Sequence, residues 1–392
     1  MSAHDRTERL RAGLRQQQLD GLMVTTPENR RYLTGFTGHD GGTDSAGTLL
    51  VGLGDATLIT DGRYTEQAAH ECPGVRVVKR EGALQPVLVE AARALGLRRV
   101  GFEATHLTVA LRDDLAAAAA EAALPLDLVA TRGVVEALRV IKDAEELAAI
   151  ERAVAITDEV FGFLLTYLRP GLTERQVAQE IERQMLARGA EGPAFDSIVA
   201  SGPNSALPHA IPSDRKLARG ESITIDMGAA YAGYCSDMTR TVCLGRAPAD
   251  LRAMYADVLR AHDVCAAGLR PGVNGQQADA LARDALQAAG RGDQFVHGVG
   301  HGLGLEIHED PRLGRLGEKH VLAANMVVTV EPGAYLAGWG GVRVEDTVLI
   351  TSDGARALSQ SPRELEITGR PRAPAAKPAR TATRQAGRVA AS

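Results

Sequence analysis

Residues 224–242 read TIDMGAAYAGYCSDMTRTV, and residues 329–350 read TVEPGAYLAGWGGVRVEDTVLI. The two stretches share one plan: an apolar strand, an acid, a Gly-Ala turn region, a second strand, a second acid and a threonine. The acids are Asp226 and Asp237 in the first unit, and Glu331 and Glu345 in the second. The repeat predicts two hairpins related by an internal pseudo-twofold axis, each carrying two carboxylates toward that axis. Strand alternation agrees. In ITIDM, Ile223 and Ile225 take one face while Thr224 and Asp226 take the other, and in VRVED, Arg343 and Glu345 share a face opposite Val342 and Val344. A lone acid after a strand is ordinarily a turn residue. Four in two matching settings call for a common cause.

Four carboxylates converging on one axis repel one another and hold their protons unless cations compensate. Two divalent ions cancel four negative charges. A further ligand is available from residues 297–310, HGVGHGLGLEIHED, which supply His297, His301 and His308 between the two hairpins. Glycines at 298, 300, 302 and 304 allow the backbone to pack closely and aim the imidazoles. His308-Glu309 lacks the second histidine of an H-E-x-x-H zinc helix. The glycine run also lacks the spacing and the strand–turn–helix setting of a dinucleotide loop. Ser201, Ser205 and Ser236 belong to no evident triad, so nucleophilic serine catalysis is rejected.

Outward from these segments, residues 5–135 alternate helical and strand patterns. A polar helix (8–18) leads to GLMVTT, and a turn-rich loop, NRRYLTGFTGHDGGTDSAG, follows. Then come the strands GTLLVGL and ATLIT, the helix RYTEQAAHE, the strand VRVVK, a helix over 84–95, the strand RRVGFE, the Ala-rich helix LRDDLAAAAAEAAL and the strand PLDLVAT. This rhythm predicts a mixed sheet covered by helices. From about 138 a long helical pattern begins and stops at Pro170-Gly171, and Thr173 caps the next helix. The boundary is therefore placed at 137/138, giving an N-terminal domain over 1–137 and a second over 138–368. Residues 369–392 are Pro/Ala-rich and basic without an acid, the composition of a solvated, disordered tail.

The 392 residues suit two domains, and 45% apolar residues are enough for ordinary cores. A net charge of −5, mixed along the chain, argues against nucleic acid as a partner. Four scattered cysteines without a C-x-x-C pair argue against a disulfide framework or a zinc knuckle and fit a reduced, cytoplasmic setting. The polar, charged start does not resemble a signal peptide, and no apolar run approaches the ~20 residues of a membrane span.

At FDSIVASGPNSALPHA (195–210), the two acid hairpins and HGVGHGLGLEIHEDP, the chain resembles the metal-dependent Xaa-Pro peptidases of the pita-bread fold, the group of aminopeptidase P and prolidase. NRRYLTGFTG (29–38) and ITDGRYTEQA (59–68) resemble the creatinase-like N-terminal domain of the shorter members. The resemblance runs over 1–368. One departure is HDGGTD (39–44), where those relatives run from GFTG directly into SAG. The resemblance implies an α/β (α+β) architecture, with a creatinase-like N-terminal domain ahead of a pita-bread catalytic domain of pseudo-twofold symmetry. It implies hydrolysis of the bond between an N-terminal residue and proline, and a homodimer acting on small peptides with proline second.

Carried over residue by residue, the resemblance gives Asp226 to one metal, His301 and Glu331 to the other, and Asp237 and Glu345 to both. Two ions roughly 3.5–4 Å apart share a water and make it hydroxide-like. Glu331 is then the proton carrier, His308 and His209 bind the scissile carbonyl region and the prolyl side, and His297 lines the prolyl pocket. Arg343 orients substrate or the acid shell through its fork, or serves as a structural ion pair. Oxygen-rich ligands point to Mn²⁺ or Co²⁺, with Zn²⁺ also open. Tyr335 is read as a contact of the metal shell or as core, and Trp339 as a rim residue. Arg30, Arg31, His39 and Arg63 are the cations considered for holding a free prolyl carboxylate, which would separate dipeptides from longer substrates. Two alternatives remain: a methionine-aminopeptidase-like exopeptidase, and a pita-bread binding module without catalysis.

Overall fold

Apolar runs and helical spacing alternate over the first third of the chain, and they build one six-stranded mixed sheet. The computed structural model describes residues 2–39 and 45–367. The expected basic tail, 369–392, and all of the HDGGTD insertion except His39 lie outside the described residues. In spatial order the strands of the front sheet are Arg76–Lys79, Ala56–Thr60, Thr48–Gly52, Gly21–Val24, Arg99–Glu103 and Asp127–Thr131. The pairs on either side of Thr48–Gly52 are antiparallel and the other three are parallel. Gly21–Val24 and Thr48–Gly52 are buried along their whole length, which is why their sequences are apolar without alternation.

One expectation needs correction here. The segment read as a turn-rich loop from Asn29 opens with a helix, Pro27–Thr34. Pro27 stands in its first turn, where its fixed φ suits the helix, and Gly35 ends it at φ +82°. Both signals are present in the sequence, but the polar run between them masked them.

The rest of the chain repeats one unit twice. Each half opens with a long helix and a shorter one: Ala144–Tyr167 with Glu174–Ala187, then Ala249–Gly268 with Gly275–Ala288. Asp143 caps the first of these through the backbone N–H groups of Glu145 and Glu146, so the long helix begins six residues later than its apolar pattern. Each half then adds a sheet. The first runs Glu366–Ile367, Met238–Leu244, Ile223–Met227, Ile198–Ser201; the second runs Glu309–Leu313, Gly300–Gly302, Val327–Val330, Asp346–Ile350, Ala355–Ala357. The predicted hairpins are the antiparallel pairs 223–227/238–244 and 327–330/346–350, with Asp226 opposite Thr239 and Val330 opposite Asp346. The Glu345 N–H donates to the Thr239 carbonyl at 3.0 Å and joins the two halves where the acids meet.

The hydrophobic core does not stop between the front sheet and the repeat. Leu10, Leu14, Leu22, Tyr32 and Leu33 pack in one cluster with Ile150, Val154, Tyr234, Leu303 and Val327. All four cysteines are buried free thiols. Among the described residues no helix is long and apolar enough to cross a membrane.

Candidate active site

A cavity of about 670 Å³ opens over the junction of the two repeat sheets, and its lining includes Asp226, Asp237, His301, Glu331 and Glu345 together with His209, His297, His308 and Arg343. The five expected metal ligands and the four expected substrate-binding residues therefore line one space. Its walls are otherwise largely apolar, with Phe195, Ile198, Pro208, Ile211, Ile307 and Leu313 among them.

The floor is built by strand register. Asp226 stands on the first sheet opposite Ile198 and Thr239. His301 stands on the second, opposite Arg312. One ligand atom each from Asp237, His301 and Glu345 lie within 4.8 Å of one another, and all three side chains are buried. His301 Nε2 is 3.4 Å from Glu331 Oε1 and 3.6 Å from Asp237 Oδ2. The other ring nitrogen, Nδ1, is 3.0 Å from the Gly302 carbonyl, which only accepts, so Nδ1 carries the proton and Nε2 turns its lone pair toward the acids. Burial, followed by neighbouring His308, lowers the His301 pKa to about 3, so the ring is neutral.

The glycines act by close approach. A Cβ on Gly300 would stand 2.0 Å from the Thr329 carbonyl oxygen, and one on Gly302 would stand 2.2 Å from that of Asp310. Only a bare backbone brings His301 this deep between its neighbouring strands.

The acids crowd one another. Burial raises Asp237 well above the usual carboxylate range, and the charges of Glu345, Asp226 and Glu331 add to it. Glu345 is raised by burial and then by Glu331 and Asp226. Burial pushes Glu331 up to about 7 against the pull of Arg343. Asp226 Oδ1 and Glu345 Oε1 are buried and have no hydrogen-bond partner among the described residues. Buried oxygens are rarely left so, and here they face an excess of negative charge and a neutral imidazole lone pair. This donor set fits divalent cations: oxygen-rich, one nitrogen, no sulfur.

Arg343 organises the shell. Its guanidinium donates to Asp226 Oδ2 at 2.7 Å, to Thr239 Oγ1 at 3.0 Å and to the Tyr335 hydroxyl at 2.8 Å, while Thr239 Oγ1 donates to Glu345 Oε2 at 2.6 Å. Of the two functional readings of Arg343, orientation of the acid shell is the one these contacts fit. Tyr335 in turn meets His297 Nε2 at 2.9 Å, and His297 Nδ1 lies 2.8 Å from the Gly298 carbonyl. His297 is thereby fixed as a neutral ring, with its pKa lowered by burial to about 4. His308 and His209 are exposed on the cavity wall, and the His308 ring lies 4.3 Å from that of His301 at an interplanar angle of 60°.

Other expectations are corrected. Trp339 is not on this rim: its Nε1 donates to Asp250 at 3.1 Å, and it lines a separate small cavity. Arg30 is buried, with its guanidinium on the Gly47 and Gly38 carbonyls, and Arg63 is paired with Asp61. Arg31 pairs with Glu191, and none of Arg30, Arg31, His39 and Arg63 lines the cavity. Ser201, Ser205 and Ser236 bond to Glu174, Ser222 and Thr157. Two charged lining residues escaped the sequence reading, Asp196 and Arg312. Each is exposed, and neither side chain has an ion-pair or hydrogen-bond partner among the described residues.

Residues 148–352 match metallopeptidase family M24, and residues 6–141 match the creatinase/prolidase N-terminal domain. The chain is 42% identical over 360 residues to an uncharacterized peptidase of Bacillus subtilis, covering 92% of this chain and 99% of that one. It is 36% identical over 363 residues to the Xaa-Pro dipeptidase of Pyrococcus furiosus, with coverages of 92% and 99%. The solved structure of an Xaa-Pro dipeptidase from Bacillus anthracis matches with a TM-score of 0.87 at 39% identity, over 93% of this chain and 99% of the other. The chain belongs to metallopeptidase family M24 and carries the creatinase/prolidase N-terminal domain in front of its peptidase half.

Proposed function

We propose that this protein is a dinuclear metal-dependent Xaa-Pro peptidase that prefers dipeptides. One observation carries the reading: three buried carboxylates, the half-buried Glu331 and one neutral imidazole converge on a single cavity, with two carboxylate oxygens unpartnered among the described residues. Asp226, Asp237, His301, Glu331 and Glu345 hold the ions, with Mn²⁺ as the first choice on ligand chemistry. Bound there, two divalent ions supply Lewis acidity and lower the pKa of water. Glu331 takes the proton of the attacking water. As the oxygen bonds to the carbonyl carbon, the carbon–nitrogen bond breaks and Glu331 returns that proton to the prolyl nitrogen. His308 and His209 donate to the scissile carbonyl region and the prolyl side, His297 lines the prolyl pocket, and Arg343 holds Asp226 in place. The domain boundary at 137/138, a cytoplasmic setting and a homodimer belong to the same proposal.

The preference for dipeptides rests on Asp196 and Arg312. Asp196 lies two residues before Ile198, the strand partner of Asp226, Arg312 is the strand partner of His301, and both line the cavity. In an Xaa-Pro dipeptide the carboxylate sits on the prolyl residue itself, one residue from the ammonium end, and the two unpartnered charges lining the same cavity complement these termini. The test is hydrolysis of Ala-Pro, Ala-Pro-Ala and Met-Ala-Ala by the Mn²⁺-loaded protein. Ala-Pro is expected to be cleaved fastest, and Arg312→Ala to lower kcat/KM for Ala-Pro by about 10-fold or more, as loss of a charged hydrogen bond implies. Preference for Ala-Pro-Ala would make it an aminopeptidase. Cleavage of neither proline peptide would overturn the reading, and Met-Ala-Ala then separates another aminopeptidase from a silent binding module.

A further inference from the structure

Behind the His308 loop, on the side away from the cavity, lies a buried charged network that crosses between the two regions of the chain. Glu309 is its centre and is 8% exposed. Its Oε2 accepts from Lys142 Nζ at 3.0 Å, and its Oε1 accepts from the Arg139 guanidinium and from the Glu306 N–H at 3.1 Å. Arg139 and Lys142 are each 2% exposed. Arg139 also donates to Asn29 Oδ1 at 2.6 Å, and Asn29 donates to Glu103 at 2.6 Å. Glu103 in turn accepts from the backbone N–H groups of Thr25 and Thr26 at the end of the strand Gly21–Val24. A continuous path thus runs from the front sheet to Glu309, whose chain neighbour is His308.

The His308 side chain has no hydrogen bond among the described residues and packs edge-on against the His301 ring, so where it stands depends on the backbone at 308–309. That backbone enters the strand Glu309–Leu313, where Glu309 pairs with Gly302, and the Glu309 carboxylate, clamped between two cations, fixes its buried side. The preceding loop closes tightly on the same group: a Cβ on Gly304 would lie 2.7 Å from both Glu309 carboxylate oxygens. Burying two cations and an acid contributes little net stability after desolvation, whereas removing one partner leaves an uncompensated charge. Such an arrangement gives a fixed geometry more than it gives free energy.

We propose that Lys142 and Arg139 are positioning residues for His308: through Glu309 they set where its imidazole meets the substrate. The inference rests on the peptidase reading given above for the role of His308, but not for the position of the loop. The experiment compares full-length, Mn²⁺-loaded wild type with Lys142→Met and Lys142→Arg, by steady-state kinetics on Ala-Pro, bound-metal content and hydrogen exchange of the peptide spanning 303–309. Lys142→Met is expected to lower kcat by about 10- to 100-fold, the scale of a 1 Å misplacement. KM stays within about twofold, bound metal is unchanged, and exchange over 303–309 is faster, while Lys142→Arg restores both kcat and protection. If Lys142→Met does not fold, Glu309→Gln, which keeps shape and acceptor, is read in the same way. Wild-type kcat in the variant, a loss that follows loss of metal, or unchanged exchange over 303–309 would overturn the proposal. If the wild type cleaves no Xaa-Pro peptide, the peptidase reading fails, and the exchange data still decide whether Lys142 positions the loop.

Discussion

Glu331 is held between opposing pressures. Burial raises its pKa from the ordinary carboxylate value of 4.5 to about 7, and the acid Asp226 adds to this while Arg343 resists it. The consequence for stability has a definite sign. Below pH 4.5 the folded and unfolded chains are both protonated at this group and nothing is gained or lost. Between about 4.5 and 7 the unfolded chain releases the proton while the metal-free fold keeps it, so stability falls as pH rises. Neutral His297 and His301 act in the opposite direction, because their pKa values are lowered. A variant difference isolates the acid: in chelator, Glu331→Gln should gain on the wild type from pH 4.5 to 7 and hold that gain above, as read by urea midpoints. A constant difference across that range would contradict the assignment. At this scale the sequence disclosed the four acids that share the cavity, because acids placed just after apolar strands in matching frames are unusual. It did not disclose Asp196 or Arg312, whose places depend on strand register between segments whose pairing no local pattern announces. Nor did it disclose Glu309 with Arg139, 170 residues apart in the chain.

At the scale of elements, the duplicated hairpins have duplicated supports. Leu168-Arg169-Pro170-Gly171 ends one long helix and Leu269-Arg270-Pro271-Gly272 ends the other. Gly171 and Gly272 have φ of +92° and +90°, and each is followed by a capping box, Thr173 with Gln176 and Asn274 with Gln277. This tetrapeptide repeat was readable, and it would have marked the two halves before any acid was considered. The helix Pro27–Thr34 was harder to read because its single face mixes buried Asn29 and Arg30 with apolar Tyr32 and Leu33, so no clean hydrophobic period survives. The glycine strand 300–302 yields a contrast that can be measured. Gly300→Ala forces a Cβ to 2.0 Å from a carbonyl oxygen that belongs to backbone and cannot rotate away. It should destabilise by about 3 kcal/mol, the upper end for overpacking. Gly162→Ala, on an exposed helical position with nothing within 4 Å, should stabilise by about 0.5–1 kcal/mol. Equal urea midpoints for the two variants would show that the glycine run is not fixed by close packing.

Across the whole molecule, the core shared by Leu10, Leu14 and Leu22 with Ile150, Leu303 and Val327 ties the front sheet to the repeat. The buried path through Arg139 and Glu309 reinforces the tie. Calorimetry should therefore record one cooperative transition, and two resolved transitions would mean that this shared core adds little. Sequence rhythm located both regions but not this union, since each contributes scattered single positions to it. The buried thiols have a practical consequence. With all four native sulfhydryls shielded by packing, a maleimide dye should find no target on the folded chain, so one engineered attachment point can be labelled cleanly. Leu316, 96% exposed and lining the hollow that adjoins the cavity at His297 and Arg312, is a position from which such a dye could report by its emission when a peptide enters and when it leaves.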